Sequence, residues 1–239
     1  MYDWRGRIGL IVPSSNTTME MDYHRLAPCG VSICTARMRF TGAATLEDFA
    51  PLIEGTRSAL QTLLDCRPNV VVWGCTAAIA SPDVEKQIRQ MIEGEYKIPC
   101  VMPLSAAAEA LRTMKISRVS VAAPYTDEIL EAVKRYLEKH GFTVINIKGL
   151  GLSDNREIAS QSPQVVYALA RSVDSGEAEG IFISCTNLRA LDLIQCLEDE
   201  LGKPVVSSNQ AGMWSALRVI GVKDSITGYG RLLCSMIYQ

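Results

Sequence analysis

The segment GIFISCTNLRALD (180–192) places a Cys-Thr pair where an apolar run ends and a helix-like pattern begins. The segment VVVWGCTAAIA (70–80) has the same arrangement in the first half of the chain. Short, nearly continuous apolar runs are typical of strands in parallel sheets that are covered on both faces. The sequence therefore predicts an α/β fold in which Cys75 and Cys185 lie at the ends of two equivalent strands.

Strand-like and helix-like segments alternate along the chain, and their order occurs twice. Apolar runs bounded by turn residues predict strands at 7–13, 31–38, 69–74, 98–103, 118–124, 142–150 and 178–184. Apolar residues at helical spacing predict helices at 46–66, 81–95, 105–115, 125–141 and 162–176. This alternation favours parallel sheets flanked by helices.

The repeat keeps its register over a long stretch of chain. Arg7 and Arg118 open matching strands, and Cys75 and Cys185 follow matching strands at almost the same separation. A third pair of similar segments, marked by Pro99 and Pro204, has a slightly shorter separation. A register that is kept at three points indicates an internal duplication. We infer two pseudo-symmetric, Rossmann-like α/β lobes that face each other across a cleft, with a boundary near residue 116.

The composition is that of an ordinary globular protein. Of 239 residues, 48% are apolar and 21% are charged, and the net charge is -2, which argues against a nucleic-acid or anionic membrane partner. The first apolar run is too short for a signal peptide or a membrane span, so we expect a cytoplasmic protein.

The cysteines and histidines exclude several site classes. No two of the eight cysteines form a C-x-x-C pair, which argues against a zinc site, and a disulfide framework is not expected in a reducing compartment. The two histidines stand apart from any nucleophile-elbow serine, and no phosphate-binding glycine loop is present. Besides the strand-end pair, six cysteines are interpreted as ordinary buried or half-buried thiols: Cys29, Cys34, Cys66, Cys100, Cys196 and Cys234.

The two Cys-Thr pairs lie where an open parallel sheet binds ligands, beyond the carboxyl ends of its strands. If a pseudo-twofold axis relates the lobes, the two thiols face one small molecule from opposite sides. We expect a helix directly after each cysteine, which would lower the thiol pKa, and Thr76 and Thr186 to bond the sulfur or cap the helix. A thiolate can remove a proton beside a carboxylate or add to an electron-poor double bond.

Other strand ends supply candidate anion-binding groups. VPSSNTTMEMD (12–22) gathers Ser14, Ser15 and Asn16 at a strand-to-helix turn, where backbone N–H groups suit a carboxylate. Tyr125 holds the equivalent place in the second lobe, and Asn155 follows another strand. Each has a structural alternative: helix capping for the Ser-Ser-Asn cluster, a half-buried aromatic for Tyr125, and a turn residue for Asn155.

The motifs resemble those of a known family. RIGLIVPSSNTTME, ARMRF, VAAPYTDEI, SDN, and GKPVVSSNQAGMWSALRVIG with GYGRLL are similar to the Asp/Glu racemase superfamily, in its branch of maleate cis-trans isomerases and arylmalonate decarboxylases. The resemblance implies two α/β lobes, no cofactor or metal, and a homo-oligomer (dimer or tetramer). It also implies that the chain end returns to the first lobe, so that 1–115 with 206–239 forms one lobe and 116–205 the other.

The resemblance also implies roles for the candidate residues. Cys75 would attack the alkene of maleate and Cys185 would act as acid and base, with Asn16, Tyr125 and Asn155 contacting carboxylates and the intermediate. We therefore expect a cofactor-independent isomerase or racemase of a small carboxylate, with maleate cis-trans isomerisation as the first choice. Two alternatives stay open: decarboxylation of a substituted malonate with Cys185 as proton donor, and a non-catalytic small-molecule binding protein.

Overall fold

Two four-stranded parallel sheets form the centre of the computed structural model, which describes residues 2–40, 51–79 and 82–234. The first sheet has the order β2-β1-β3-β4, with β1 at Gly6–Pro13, β2 at Val31–Met38, β3 at Val70–Trp73 and β4 at Cys100–Val101. The second has the order β6-β5-β7-β8, with β5 at Arg118–Ala122, β6 at Thr143–Lys148, β7 at Gly180–Ile183 and β8 at Val205–Ser207. The expectation of two equivalent α/β lobes is confirmed.

Helices cover both sheets. In the first half they are α1 (Met19–Leu26), α2 (Pro51–Leu64), α3 (Thr76–Ile79), α4 (Pro82–Arg89), which continues as a π-helical turn at Gln90–Glu95, and α5 (Pro103–Thr113). In the second half they are α6 (Asp127–Lys139), α7 (Asn155–Ser160), α8 (Pro163–Ser172), α9 (Ile194–Leu201), α10 (Ser208–Val219) and α11 (Arg231–Cys234). The predicted helical residues 46–50 and 81 lie outside the described residues. Across the described part of the chain, no helix is long and apolar enough to cross a membrane.

The central strands are buried because both faces of each sheet carry helices. Every residue of β3 and of β7 is buried, as their unbroken apolar sequences predict. The Trp73 indole ends β3 inside the core and donates a hydrogen bond to the Thr56 hydroxyl at 2.8 Å, which satisfies its one polar side-chain atom. These strands hold the residues that follow them in fixed positions.

The chain after Cys185 differs from the prediction. A helix begins directly after Cys75, at Thr76, but after Cys185 the chain forms turns and a short 3-10 segment at Leu191–Leu193 before α9 starts at Ile194. The reason is long-range hydrogen bonding, because the Asn187 side chain bonds to Thr17 and Asn155, which are far away in the sequence, and its N–H bonds back to the Cys185 sulfur. The expectation of a helix N-terminus beside Cys185 was wrong.

Two equivalent helices cross between the lobes. α5 follows the first sheet and contacts β8 of the second, whereas α10 follows the second sheet and contacts β3 and β4 of the first. The two helices also pack against each other. We propose on this basis that residues 206–239 complete a first lobe formed by 1–115, and that 116–205 forms the second.

A buried carboxyl helps to hold α10 on the first lobe. Asp22 of α1 accepts a hydrogen bond from the Asn209 amide of α10 at 2.7 Å, and the same amide nitrogen donates to the Thr186 carbonyl at 3.0 Å. Burial raises the pKa of Asp22 to about 6, against the opposing effects of the Asn209 hydrogen bond and the Arg25 charge. The folded protein therefore holds a proton on this carboxyl more tightly than the unfolded chain does.

We expect Asp22→Asn to remove a pH-dependent component of stability. Folding raises the pKa of Asp22 from 3.8 to about 6. The stabilising contribution of this carboxyl to the unfolding free energy is therefore fully present below pH 3.8, and it is lost as the pH rises through 6. Relative to the wild type, the variant should gain about 2 kcal/mol in unfolding free energy between pH 4 and pH 7. Urea denaturation at several pH values measures this difference, and a difference that does not change with pH would contradict the assignment.

Candidate active site

A small cavity lies between the carboxyl ends of the two sheets, and both lobes contribute to it. Loops after β1, β2 and β3 face loops after β5, β6 and β7. The cavity is lined by Pro13, Asn16, Phe40, Gly74, Cys75, Thr76, Ala77, Tyr125, Asn155, Ile158, Cys185 and Thr186. Both strand-end cysteines therefore line the same space, at equivalent places in the two lobes.

Both thiols are buried and receive several hydrogen-bond donors. The backbone N–H groups of Ala78 and Ala77, in the first turn of α3, point to the Cys75 sulfur. The Asn187 N–H donates to the Cys185 sulfur at 3.3 Å, and the Tyr125 hydroxyl is a further donor to it. Fixed donors of this kind stabilise a sulfur that becomes negatively charged.

Burial outweighs these donors in its effect on the pKa of both thiols. It raises the pKa of Cys75 to about 12, with the nearby Cys185 sulfur adding to the rise. Burial also raises the pKa of Cys185, although hydrogen bonds from Asn187, Tyr125 and Leu188 oppose it. The expectation of thiols with lowered pKa values was wrong, because the cost of removing a thiolate from water exceeds the effect of the donors. Since each negative charge disfavours the other, the pair favours one thiol and one thiolate when either ionises.

The two threonines that follow the cysteines differ in their bonding. The Thr186 hydroxyl donates to the Gly74 carbonyl at 2.8 Å and accepts from the Asn16 amide at 3.2 Å, so it joins the lobes. The Thr76 hydroxyl is buried and has no hydrogen-bond partner within the described ranges. An unpaired buried hydroxyl that lines a cavity is available to a ligand, whereas the Thr186 proton is already used.

Asn16 bonds to the start of α1 and also lines the cavity. Its side-chain oxygen accepts from the N–H groups of Thr18 and Met19 at 3.0 and 2.9 Å, which fixes the turn that leads into α1. Its amide nitrogen donates to Thr186 and retains a second hydrogen. Asn16 thus lines the cavity in one fixed orientation.

The two serines lie beside the cavity and do not line it. The Ser14 hydroxyl accepts from the Phe40 N–H at 3.0 Å, and it contacts the Phe40 carbonyl at 3.3 Å. The Ser15 hydroxyl accepts from the Asn155 amide at 2.8 Å. Both serines therefore position residues that line the cavity.

Most backbone N–H groups of the turn after β1 are already paired. Those of Ser14 and Asn16 bond to main-chain carbonyls, that of Thr17 donates to the Asn187 side chain at 3.0 Å, and those of Thr18 and Met19 donate to the Asn16 side-chain oxygen. The local fold uses these five N–H groups, and the expectation that backbone N–H groups of this turn hold a carboxylate stays a prediction.

Tyr125 and Asn155 approach the cavity from the second lobe. The Tyr125 ring is buried, and its hydroxyl bonds to the Cys185 sulfur. Burial and the neighbouring sulfur raise the pKa of Tyr125 well above its ordinary value, so it stays a hydrogen-bond donor. Asn155 is half-buried at the first residue of α7, which Asp154 caps.

Asn187 is a polar site residue that the sequence analysis did not single out. It is 1% exposed, and its side chain bonds both to Thr17 of the first lobe and to Asn155 of the second. The available signal was its position two residues after Cys185, in the segment whose helix prediction was wrong.

No charged side chain is found among the described residues that line the cavity. Arg37 of β2 donates to the Asn16 carbonyl at 2.8 Å and pairs with Glu20. Arg189 is exposed and does not line the cavity. Residues 2–40, 51–79 and 82–234 contain no group of three or more His, Cys, Asp or Glu side chains that could hold a metal ion. A carboxylate in this site would be held by hydroxyl and amide donors.

The known proteins that this chain is similar to are maleate isomerases and arylmalonate decarboxylases. A profile of the arylmalonate decarboxylase family matches residues 8–233. The maleate isomerase of Nocardia farcinica is 31% identical over 239 residues, 95% of each chain, and the arylmalonate decarboxylase of Bordetella bronchiseptica is 32% identical over 138 residues, 56% of this chain and 58% of that one. A solved structure of a cysteine-to-serine variant of the Nocardia farcinica maleate cis-trans isomerase, with a covalently bound succinylcysteine intermediate, matches with a TM-score of 0.87 at 29% identity over 96% of this chain and 98% of that one.

Replacing each threonine by valine should show that the two hydroxyls contribute differently to stability. Thr186→Val leaves the Gly74 carbonyl and an Asn16 N–H unpaired, so we expect the unfolding free energy to fall by about 1–3 kcal/mol. Thr76→Val removes a hydroxyl without a partner in the described ranges, so stability should stay the same or rise. Urea denaturation of both variants checks this, and equal losses would show that Thr76 also has a structural partner.

Alkylation should report the raised thiol pKa values. Cys29 and Cys196 are exposed, which corrects their interpretation as buried thiols and makes them internal references. With iodoacetamide at neutral pH, we expect Cys75 to react at least ~100-fold more slowly than these two, because its thiol is rarely ionised and access is restricted. Peptide mass spectrometry measures the rates, and equally fast labelling of Cys75 would mean that it is a thiolate in the free protein.

Proposed function

Because this chain belongs to the arylmalonate decarboxylase family, we propose that it is a cofactor-independent isomerase of small dicarboxylates, with maleate as its first candidate substrate. The observation that carries the proposal is that two buried cysteines, one from each lobe, line one small cavity. Two acid–base groups on opposite sides of one ligand can exchange a proton with it and bond to it in the same site.

The proposed reaction begins with the Cys75 sulfur as a thiolate. It forms a bond to one alkene carbon of maleate, and the electron pair of the double bond moves towards the carboxylate on the other carbon. Cys185 then donates its proton to that second carbon, which leaves a saturated succinyl group on Cys75. Rotation about the new single bond, return of the proton to Cys185 and cleavage of the carbon–sulfur bond release fumarate and regenerate both sulfurs.

The donors around each sulfur fit these roles. Cys185 would alternate between thiol and thiolate, and it has donors from Asn187, Leu188 and Tyr125 to stabilise the charged form. The Ala78 and Ala77 N–H groups would stabilise Cys75 before attack and after release. Because a negative charge on one sulfur raises the pKa of the other, the required combination of one thiolate and one thiol is favoured over two thiolates.

Neutral donors would hold the substrate carboxylates. The Thr76 hydroxyl is unpaired within the described ranges and lines the cavity, and the Asn16 and Asn155 amides each retain an N–H after their structural bonds. The Tyr125 hydroxyl stays protonated beside Cys185. Fixed donors of this kind are also available to the extra negative charge that the second carboxylate carries after sulfur attack.

The relatives support the isomerase reading. The cysteine-to-serine variant of the Nocardia farcinica enzyme carries a succinylcysteine, which is the group that addition of a thiolate to maleate and protonation at carbon would leave. A chain with two cavity cysteines has the groups for the same sequence of steps. Thr76 and Thr186 are the neighbours whose bonding would adjust the site to its substrate.

Cysteine variants test the function directly. With maleate in deuterated water, we expect the wild type to produce fumarate, followed by NMR, and Cys75→Ser and Cys185→Ser to lose on the order of 10²–10⁴-fold in turnover. Cys185→Ser should accumulate a covalent adduct of the mass of maleic acid on Cys75, detected by mass spectrometry. Cys34→Ser, on an edge strand away from the cavity, is the matched control and should keep full activity. Full activity of the double cavity variant would overturn the proposal.

Decarboxylation of a substituted malonate is the second candidate, because the family profile and the 138-residue match to an arylmalonate decarboxylase favour it. Cys185 would then protonate the enediolate that forms when carbon dioxide leaves. The same NMR assay with aryl malonates would show loss of a carboxylate, and activity would survive Cys75→Gly. A binding protein would instead bind dicarboxylates without turnover.

We also propose a cytoplasmic homo-oligomer, a dimer or tetramer, that acts on a small carboxylate. All eight cysteines are free, which suits a reducing compartment. Tyr2, Trp4 and Met21 are large exposed apolar side chains that a second copy would shield. Light scattering after size-exclusion chromatography measures the oligomeric state.

A further inference from the structure

Asn187 has more hydrogen bonds at the cavity than its place in a turn requires. Its side-chain oxygen accepts from the Thr17 N–H at 3.0 Å, and its amide nitrogen donates to the Asn155 carbonyl at 2.7 Å and to the Asn155 side-chain oxygen at 2.9 Å. Its own N–H donates to the Cys185 sulfur at 3.3 Å, and its carbonyl accepts from the Thr18 hydroxyl at 3.0 Å.

These partners allow one orientation of the Asn187 amide. The Thr17 N–H is only a donor, and the Asn155 carbonyl is only an acceptor. Exchanging the positions of the amide oxygen and nitrogen would place the oxygen against two acceptors and the nitrogen against a donor. Main-chain groups on both lobes therefore fix which end of the amide faces Asn155.

The fixed amide of Asn187 in turn orients the Asn155 side chain. Because the Asn155 oxygen accepts from Asn187, the Asn155 nitrogen faces Ser15, with one hydrogen left for the cavity that Asn155 lines. Ser15 cannot fix this orientation, since a hydroxyl can either donate or accept. Without Asn187, Asn155 could turn its oxygen towards a substrate carboxylate, and two acceptors would then face each other.

The backbone of Asn187 adds a second constraint. It bonds to the Cys185 sulfur on one side and to the Thr18 hydroxyl of the first lobe on the other. A single buried residue thus joins the proton-donating sulfur, a carboxylate-binding amide and the turn that carries Asn16.

We propose that Asn187 is a positioning residue, which acts through Asn155 to present an N–H group to a substrate carboxylate. The proposal rests on the function proposed above for this cavity. Asn187 itself does not line the cavity.

Asn187→Asp tests the orientation with almost no change in shape. The introduced carboxylate opposes two Asn155 oxygens, so we expect the KM for maleate to rise about 10–100-fold, with a smaller change in kcat. Asn146→Asp is the matched control: its amide donates to the Val173 carbonyl at 3.1 Å away from the cavity, and its KM should stay within about twofold of the wild type. As the pH falls through the pKa of the introduced carboxyl, protonation restores a donor, and the KM ratio of variant to wild type should shrink. A KM ratio that stays constant with pH would overturn the proposal.

A double-mutant cycle tests whether Asn187 acts through Asn155. In a protein that already carries Asn155→Ala, adding Asn187→Ala should change the KM less than about threefold. If the KM change of the double variant equals the product of the changes in the two single variants, the proposal is overturned. If Asn187→Ala does not fold, Asn187→Ser serves in the same cycle.

If the wild type does not convert maleate, the isomerase proposal fails alone. The dissociation constant of succinate, measured by calorimetry, then replaces KM in both tests. Equal succinate binding by wild type and Asn187→Asp would overturn the positioning role.

Discussion

The hydrogen bond from the Thr186 hydroxyl to the Gly74 carbonyl joins the residue after one cavity cysteine to the residue before the other. Because both groups are buried, neither can exchange this partner for water without the cost of an unpaired polar group. The distance between the two sulfurs therefore depends on a contact between lobes and not on either sheet alone. Asn16, Asn155 and Asn187 surround this bond with further pairs between the lobes.

The same burial that fixes the geometry makes the free thiols weak acids. A cavity lined by neutral donors can stabilise a thiolate only through hydrogen bonds, and these do not compensate for the loss of water. Chemistry at Cys75 therefore needs a substrate to which its negative charge can move. An electron-poor alkene between two carboxylates accepts that charge, which links the acidity of the site to the class of substrate proposed for it.

The sequence predicted the fold well because its signals are local and regular. Unbroken apolar runs such as VVVW and GIFI, each followed closely by Cys-Thr, identified buried parallel strands, and the recurrence of this pattern at Cys75 and Cys185 identified the second lobe. The shared cavity followed from that symmetry.

Features that break the symmetry were not predictable. Thr76 and Thr186 occupy equivalent positions, yet only Thr186 reaches a carbonyl of the opposite lobe among the described residues. The helix expected after Cys185 is absent and the importance of Asn187 was missed, because both depend on contacts with residues far away in the sequence. The direction of the thiol pKa shifts likewise depends on burial by the whole fold, which no local pattern reports.

The exchange of α5 and α10 between the sheets has a consequence for synthesis in the cell. Strands β3 and β4 are complete by residue 101, but the helix that covers part of them ends at Val219, near the other end of the chain. During translation the part of the first sheet that α10 covers stays exposed until Val219 has left the ribosome. Apolar surface that is exposed in this way is prone to aggregation until α10 packs on it.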